Sequence, residues 1–162
     1  MPAQQFWVTF FDDIYAKAPP QGERLTLAEL NARIQNTTAP AKDLLPLLKL
    51  ARFGAVPSPD GSYRHDANVV SVSGCEGDYD GEEMAIGEAK QRLSDAGLAY
   101  LIYTTPGHTL LKPRWRVLAP FSRELPPGRR SKMVDRLNGV LGGTLSRESW
   151  ALSQSFYYGR VV

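Results

Sequence analysis

Apolar positions along the chain recur in two rhythms, and the changes between them predict the elements. Phe6 to Phe11 is a run of aromatic and β-branched residues, the composition of a buried strand. Leu27, Leu30 and Ile34 instead fall at helical spacing, behind a Thr26/Glu29 pair placed as a capping box. The apolar stretch from about Asp43 to Ala51 predicts a second helix, with Pro46 near its first turn, where a missing N–H is tolerated. The Pro/Asp/Gly cluster at 57–61 predicts a turn.

From residue 69 the pattern is cleaner. Val69–Cys75 reads as a strand with acids at its end. Glu82–Ala96 reads as a helix burying Ala85, Ile86, Ala89, Leu93 and Ala96 and stopping at Gly97. Leu98–Thr105 is a strand ended by Pro106-Gly107, and Arg114–Ala119 another, stopped by Pro120. Gly128–Leu141 places Met133, Val134, Leu137, Val140 and Leu141 on one helical stripe, and Ser155–Val161 forms a last strand. The order β-α-β-β-α-β is the split βαβ layout of ferredoxin-like folds, with an antiparallel or mixed sheet, both helices on one face and the other face open. The expected class is α+β, in a single domain with an N-terminal part at 1–68 and a ferredoxin-like part at 69–162.

Composition narrows the class without naming an activity. A chain of 162 residues with 43% hydrophobic and 22% charged residues suits one soluble globular domain. No apolar run approaches membrane-spanning length and the first residues lack a signal pattern, so the reading is cytoplasmic with no membrane partner. The single Cys75 excludes an internal disulfide and leaves too few thiols for a structural zinc site. Charge is unevenly spread: residues 60–95 hold nine acids against three Lys/Arg, whereas 112–162 hold ten Lys/Arg against three acids. An acidic segment folding beside a basic one suits a metal centre next to a phosphate-binding surface; two solvated faces of opposite sign give the same count.

Glu76, Asp78 and Asp80 occupy alternate positions at the end of the Val69–Cys75 strand, so an extended chain brings all three carboxylates to one face. Such crowding favours a divalent cation between them, and Gly74 and Gly77 leave bare backbone for an ion or a phosphate to approach. Asp-Tyr-Asp-Gly is equally the composition of a surface turn, and Asp80 suits a helix cap. His108 follows a strand end in a Pro/Gly-tightened loop, placed to donate to a phosphate or to take a proton, whereas His65 reads as structural. Lys112, Arg114 and Arg116 alternate along a strand, as a triphosphate or nucleic-acid backbone requires, or as a charge-guarded edge strand requires. Tyr157-Tyr158 without a histidine cluster argues against a tyrosine-nucleophile nickase, and no Gly-x-x-x-x-Gly-Lys loop is present.

In sequence order, Glu76-Gly-Asp78-Tyr-Asp80, Tyr103-Thr-Thr-Pro-Gly-His108-Thr, Pro113-Arg-Trp-Arg-Val-Leu and Ser149-Trp-Ala-Leu-Ser-Gln-Ser-Phe-Tyr-Tyr-Gly159 resemble the catalytic domain of the archaeo-eukaryotic primase superfamily, in the primase-polymerase form of phages and plasmids. The resemblance covers about residues 40–160. It implies a ferredoxin-like half against an N-terminal α/β half, with the active site in the cleft between them. Metal ligands are implied among Glu76, Asp78 and Asp80, as Glu76/Asp78 or as Asp78/Asp80, with His108 on the incoming nucleotide's phosphates and Lys112, Arg114 and Arg116 assisting. Two departures stand out. Pro106 replaces the small residue two before the histidine, and Leu145-Ser146 stands where an apolar residue should precede an acid. Glu148, two residues on, is the substitute for that third ligand.

The resemblance implies a DNA-dependent nucleotidyltransferase, a primase or primer-extending polymerase, using Mg²⁺ or Mn²⁺ with NTP or dNTP on single-stranded DNA. The basic C-terminal third, including Arg129, Arg130, Lys132 and Arg136, is expected to track the template; Trp150, Tyr157 and Tyr158 are candidates to stack a base, with core packing the favoured role for any one of them. The chain ends at Arg160-Val161-Val162 directly after a predicted core strand, which suggests the N-terminal domain of a longer replication protein with a fused or separate helicase. Two other readings remain: a nucleic-acid-binding module with a decayed site, and a metal-dependent nuclease using the same acids.

Overall fold

The computed structural model describes residues 2–162, and the chain is α+β. The elements run β1 (Phe6–Phe11), β2 (Gln21–Leu25), α1 (Leu27–Asn36), β3 (Thr38–Ala39), β4 (Leu47–Lys49) and β5 (Ala51–Phe53). They continue with β6 (Val69–Tyr79), α2 (Ile86–Asp95), β7 (Leu101–Thr104), β8 (Trp115–Leu125), α3 (Arg130–Val140), β9 (Phe156–Tyr157) and β10 (Arg160–Val161). One sheet has the order β2-β1-β4-β9, another β5-β6-β8-β7, and β10 pairs with β3.

Local chemistry explains where these elements start and stop. Thr26 Oγ1 accepts from the Glu29 N–H at 3.1 Å and the Glu29 carboxylate accepts from the Thr26 N–H at 2.8 Å, closing the capping box that starts α1. The helix expected at 43–51 does not form. Pro46 disfavours helical backbone at Leu45, which is extended at φ −70° and ψ 144°. The chain runs on as β4 and β5, with Leu47, Leu48, Lys49, Leu50 and Ala51 all buried. A run buried throughout carries no periodicity that separates strand from helix.

The second sheet holds the site. Its pairs β5/β6, β6/β8 and β7/β8 are all antiparallel. β6 extends past the expected end at Cys75 to Tyr79, through the acids. β8 runs through Pro120, which lies opposite Gly74 beside a register shift, where a missing N–H is accommodated. The strand expected at 155–161 is broken at Gly159, whose φ of +101° suits glycine. Its halves join β4 and β3, and the place beside β6 is taken by β5 from the N-terminal part.

The pleat of β6 divides the core. Cys75 and Tyr79 face α2 and α3 and pack with Ala89, Leu93, Trp115, Val134 and Leu137. The opposite face is not open. Leu101 and Leu118 there meet Phe6, Val8, Leu30, Leu48, Leu50 and Tyr158 of the other sheet and its neighbours. Ala85 and Ala96, expected on the buried stripe of α2, are exposed because that helix begins only at Ile86 and ends at Asp95. Among the described residues no helix is long and apolar enough to cross a membrane.

Candidate functional site

Glu76 and Asp78 project from the face of β6 opposite Cys75 and Tyr79, yet they meet different surroundings. Glu76 is fully buried, with its Oε1 at 2.7 Å from Lys49 Nζ and 2.8 Å from Arg130 Nη2, while its Oε2 accepts from the Leu50 N–H at 2.6 Å. Burial pushes the Glu76 carboxyl up, but the two cations outweigh it and hold the group below its ordinary range. Burial also pulls the Lys49 amine down to about 8, against the attraction of Glu76. This carboxylate is already neutralised by protein groups and faces the interior, so it ties β4 and α3 to β6. Arg130, expected on the nucleic-acid surface, is itself 1% exposed and also donates to the Ser149 carbonyl at 2.8 Å.

Asp78 lies one pleat further along, opposite Arg116 of β8. Its Oδ1 accepts from Arg116 Nε at 2.9 Å and Nη2 at 2.8 Å, so both bonds fall on one oxygen. Arg116 is not a free phosphate ligand: it is buried, donates from Nη1 to the Tyr157 carbonyl at 2.7 Å and lies 4.8 Å from the Phe156 ring centre. Burial raises the Asp78 carboxyl; Arg116 opposes that shift, and the charges of Asp80 and Glu148 add to it. Along the other edge of β6, the Ser146 N–H donates to the Asp78 carbonyl at 2.7 Å and the Asp78 N–H donates to Ser149 Oγ at 2.9 Å. The segment around Ser146 therefore takes the place of a pairing strand. Serine here serves through its backbone, and Glu148 is exposed beside it.

The turn after β6 carries the next acids. Tyr79 stacks on Trp115 with ring centres 4.5 Å apart, and its hydroxyl oxygen accepts the N–H groups of Glu83 and Met84 at 2.9 and 2.6 Å. Trp115 Nε1 donates to the Met84 carbonyl at 3.0 Å. This clamp fixes Glu82 at φ +59°, a backbone region unusual for a residue with a side chain. Glu82 Oε1 lies 2.6 Å from Arg114 Nη2, Glu82 Oε2 is 3.6 Å from Lys112 Nζ, and Asp80 Oδ1 is 3.9 Å from Arg114 Nη1. Within the connection between β7 and β8, the Arg114 N–H donates to His108 Nδ1 at 3.1 Å. An accepting Nδ1 puts the imidazole proton on Nε2, leaving that atom as a donor.

The structure thus gathers Asp78, Asp80, His108, Lys112, Arg114 and Arg116 at one end of the sheet, and removes Glu76 and Arg130 from it. Tyr158 is buried against Phe10 and not presented to a base, and Trp150 Nε1 donates to Asp135 at 2.8 Å. Lys132 and Arg136 are exposed on α3, and Arg129 is exposed immediately before it. Gly74 and Gly77 are bare for packing: an added Cβ would lie 2.7 Å from the Ala119 carbonyl oxygen at the first and 2.9 Å from Val117 Cγ1 at the second. The opposed charges of the two sequence segments are partly spent on one another, as Asp78–Arg116, Glu82–Arg114 and Glu76–Arg130. Sequence reasoning missed Lys49 and Glu82. A lone lysine inside Leu47–Leu50 was the available signal for the first, and nothing short of the turn geometry for the second.

Among the described residues, no three His, Cys, Asp or Glu side chains converge closely enough to hold a metal ion by themselves. Two carboxylates do remain for such a role. Asp78 has an oxygen the guanidinium does not use, and Asp80 is solvent-accessible. Polymerase-type sites hold Mg²⁺ through one or two carboxylates plus substrate phosphates, so this donor set fits a cation that arrives with a nucleotide. No protein-family model matches the chain, and neither the curated proteins nor the solved structures give a match.

Proposed function

We propose that this chain is a nucleotidyltransferase of primase-polymerase type, acting on a nucleoside triphosphate and single-stranded DNA. One observation carries the reading: carboxylates at the end of the central strand meet a hairpin that presents a histidine Nε2 donor and a guanidinium, from residues about thirty positions apart in sequence. The order β6-α2-β7-β8-α3, with both helices on one face, supports the ferredoxin-like half; the use of β5 in place of a terminal strand is a departure from it.

Asp78 and Asp80 would hold Mg²⁺ or Mn²⁺, with Glu148 close enough to contribute charge. Bound with the triphosphate, the ion supplies neutralisation at the reacting phosphate and a lowered pKa for the attacking 3′-hydroxyl. His108 Nε2 donates to a phosphate oxygen, and its orientation is fixed in advance by the Arg114 N–H. Arg114 offers a forked donor to the same phosphates in competition with Glu82, while Lys112 adds a mobile positive charge. Arg116 stays on Asp78, keeping that carboxylate aimed and partly compensated.

A second reading, a nucleic-acid-binding module with a decayed site, draws on two features: Ser146 acts through its backbone, and Glu76 is sequestered. Incorporation of labelled nucleotide on single-stranded DNA in Mg²⁺ or Mn²⁺ separates the readings. Product that disappears in Asp78→Asn and Asp80→Asn is the expected result. DNA binding without product, indifferent to both substitutions, would favour the module; cleavage of DNA with no nucleotide added would indicate a nuclease. A helicase fused to or recruited by the protein is part of the same proposal.

A further inference from the structure

Away from the acids, α3 borders a cavity of about 300 Å³ whose lining includes Cys75, Leu98, Phe121, Met133, Leu137 and Val140. Leu98 at its mouth is 38% exposed. A second depression of about 260 Å³ adjoins it, sharing Ala99 and Pro120 as a common ridge and reaching Phe6 and Leu27. Two apolar hollows on either side of one ridge suit two side chains of a single extended segment.

The surround is basic. Arg123 and Arg136 line the larger cavity, Lys132 is exposed on α3, and Arg129 is exposed immediately before that helix. None of the four has an ion-pair partner among the described residues. Their acidic sequence neighbours are engaged elsewhere: Glu124 with Arg52 and Arg24, Asp135 with Trp150 Nε1.

The geometry points to a docking site for an acidic peptide segment carrying apolar anchors, supplied by a partner protein. Carboxylates of that segment complement the four cations, and its apolar side chains fill the hollows. A nucleic-acid backbone satisfies the cations but leaves apolar cavities beside them unfilled, so the peptide matches both features. The larger hollow lies on the helix side of the sheet and the smaller one beside Phe6 and Leu27, and the site does not depend on the nucleotide-transfer reading.

Fluorescence polarisation tests this with a short labelled peptide of aspartates bearing phenylalanine anchors, a serine-for-phenylalanine control, and oligothymidylate. The expected Kd for the phenylalanine peptide is about 10 μM. It should weaken at least about tenfold for the serine control and for Leu98→Asp and Arg136→Glu, two exposed positions whose variants should keep the wild-type thermal melt. No binding of the phenylalanine peptide would overturn the inference. Equal binding of the serine control would do so too, as would oligothymidylate binding that is unaffected by Leu98→Asp and excludes the peptide.

Discussion

Two carboxylates two residues apart on one strand face have different fates because of what lies across from each. Glu76 meets a lysine and an arginine in a fully buried setting, where removing one partner strands the others. Glu76→Gln should therefore cost about 3–5 kcal/mol in urea denaturation at pH 7. Its folded pKa is lowered by Lys49 and Arg130 against burial, so its contribution is present above the unfolded value, about 4.3, and is lost as pH falls through the folded one. The gap between wild type and Glu76→Gln should narrow on acidification through that window; a constant gap would contradict the pairing. At the outer end, Glu82→Gln should strengthen triphosphate binding by releasing Arg114, which titration with a fluorescent nucleotide would read. The alternation of Glu76, Asp78 and Asp80 was legible in sequence. Which of them was free was not, because Lys49 lay in a segment whose fully buried run looks helical.

At the scale of elements, the turn between β6 and α2 is held by a few contacts that set both Asp80 and Glu82. Tyr79→Phe removes the acceptor for two backbone N–H groups while keeping the stack on Trp115. It should cost about 1–3 kcal/mol and loosen triphosphate binding, measured by thermal melts and nucleotide titration on the same sample. The capping box of α1 was readable because Thr26 and Glu29 are local. So were the rhythm of α2 and α3 and the break at Pro106-Gly107. The continuation of β8 through Pro120 was not, since it depends on a register shift opposite Gly74 that only the partner strand defines.

Over the whole molecule, the site-bearing sheet is completed by a strand from the N-terminal part, and its second face is covered by that part's core. A fragment of residues 69–162 should therefore lack cooperative unfolding, whereas the full chain should show one transition; a well-folded fragment would contradict this dependence. The α+β class and the strand–helix alternation followed from periodicity. The origin of the edge strand did not, because pairing between distant short segments leaves no local trace. The same long-range assembly brings Asp78, Asp80, His108 and Arg114 together, the residues to which the proposed function assigns the nucleotide. Titration of a fluorescent nucleoside triphosphate with and without Mg²⁺, on wild type, Asp80→Asn and His108→Ala, is the most direct measurement. Tight binding that needs Mg²⁺ and is lost at least about tenfold in both variants is the predicted result. Binding of equal strength in chelator, or unchanged by either substitution, would place the nucleotide elsewhere and contradict the assignment.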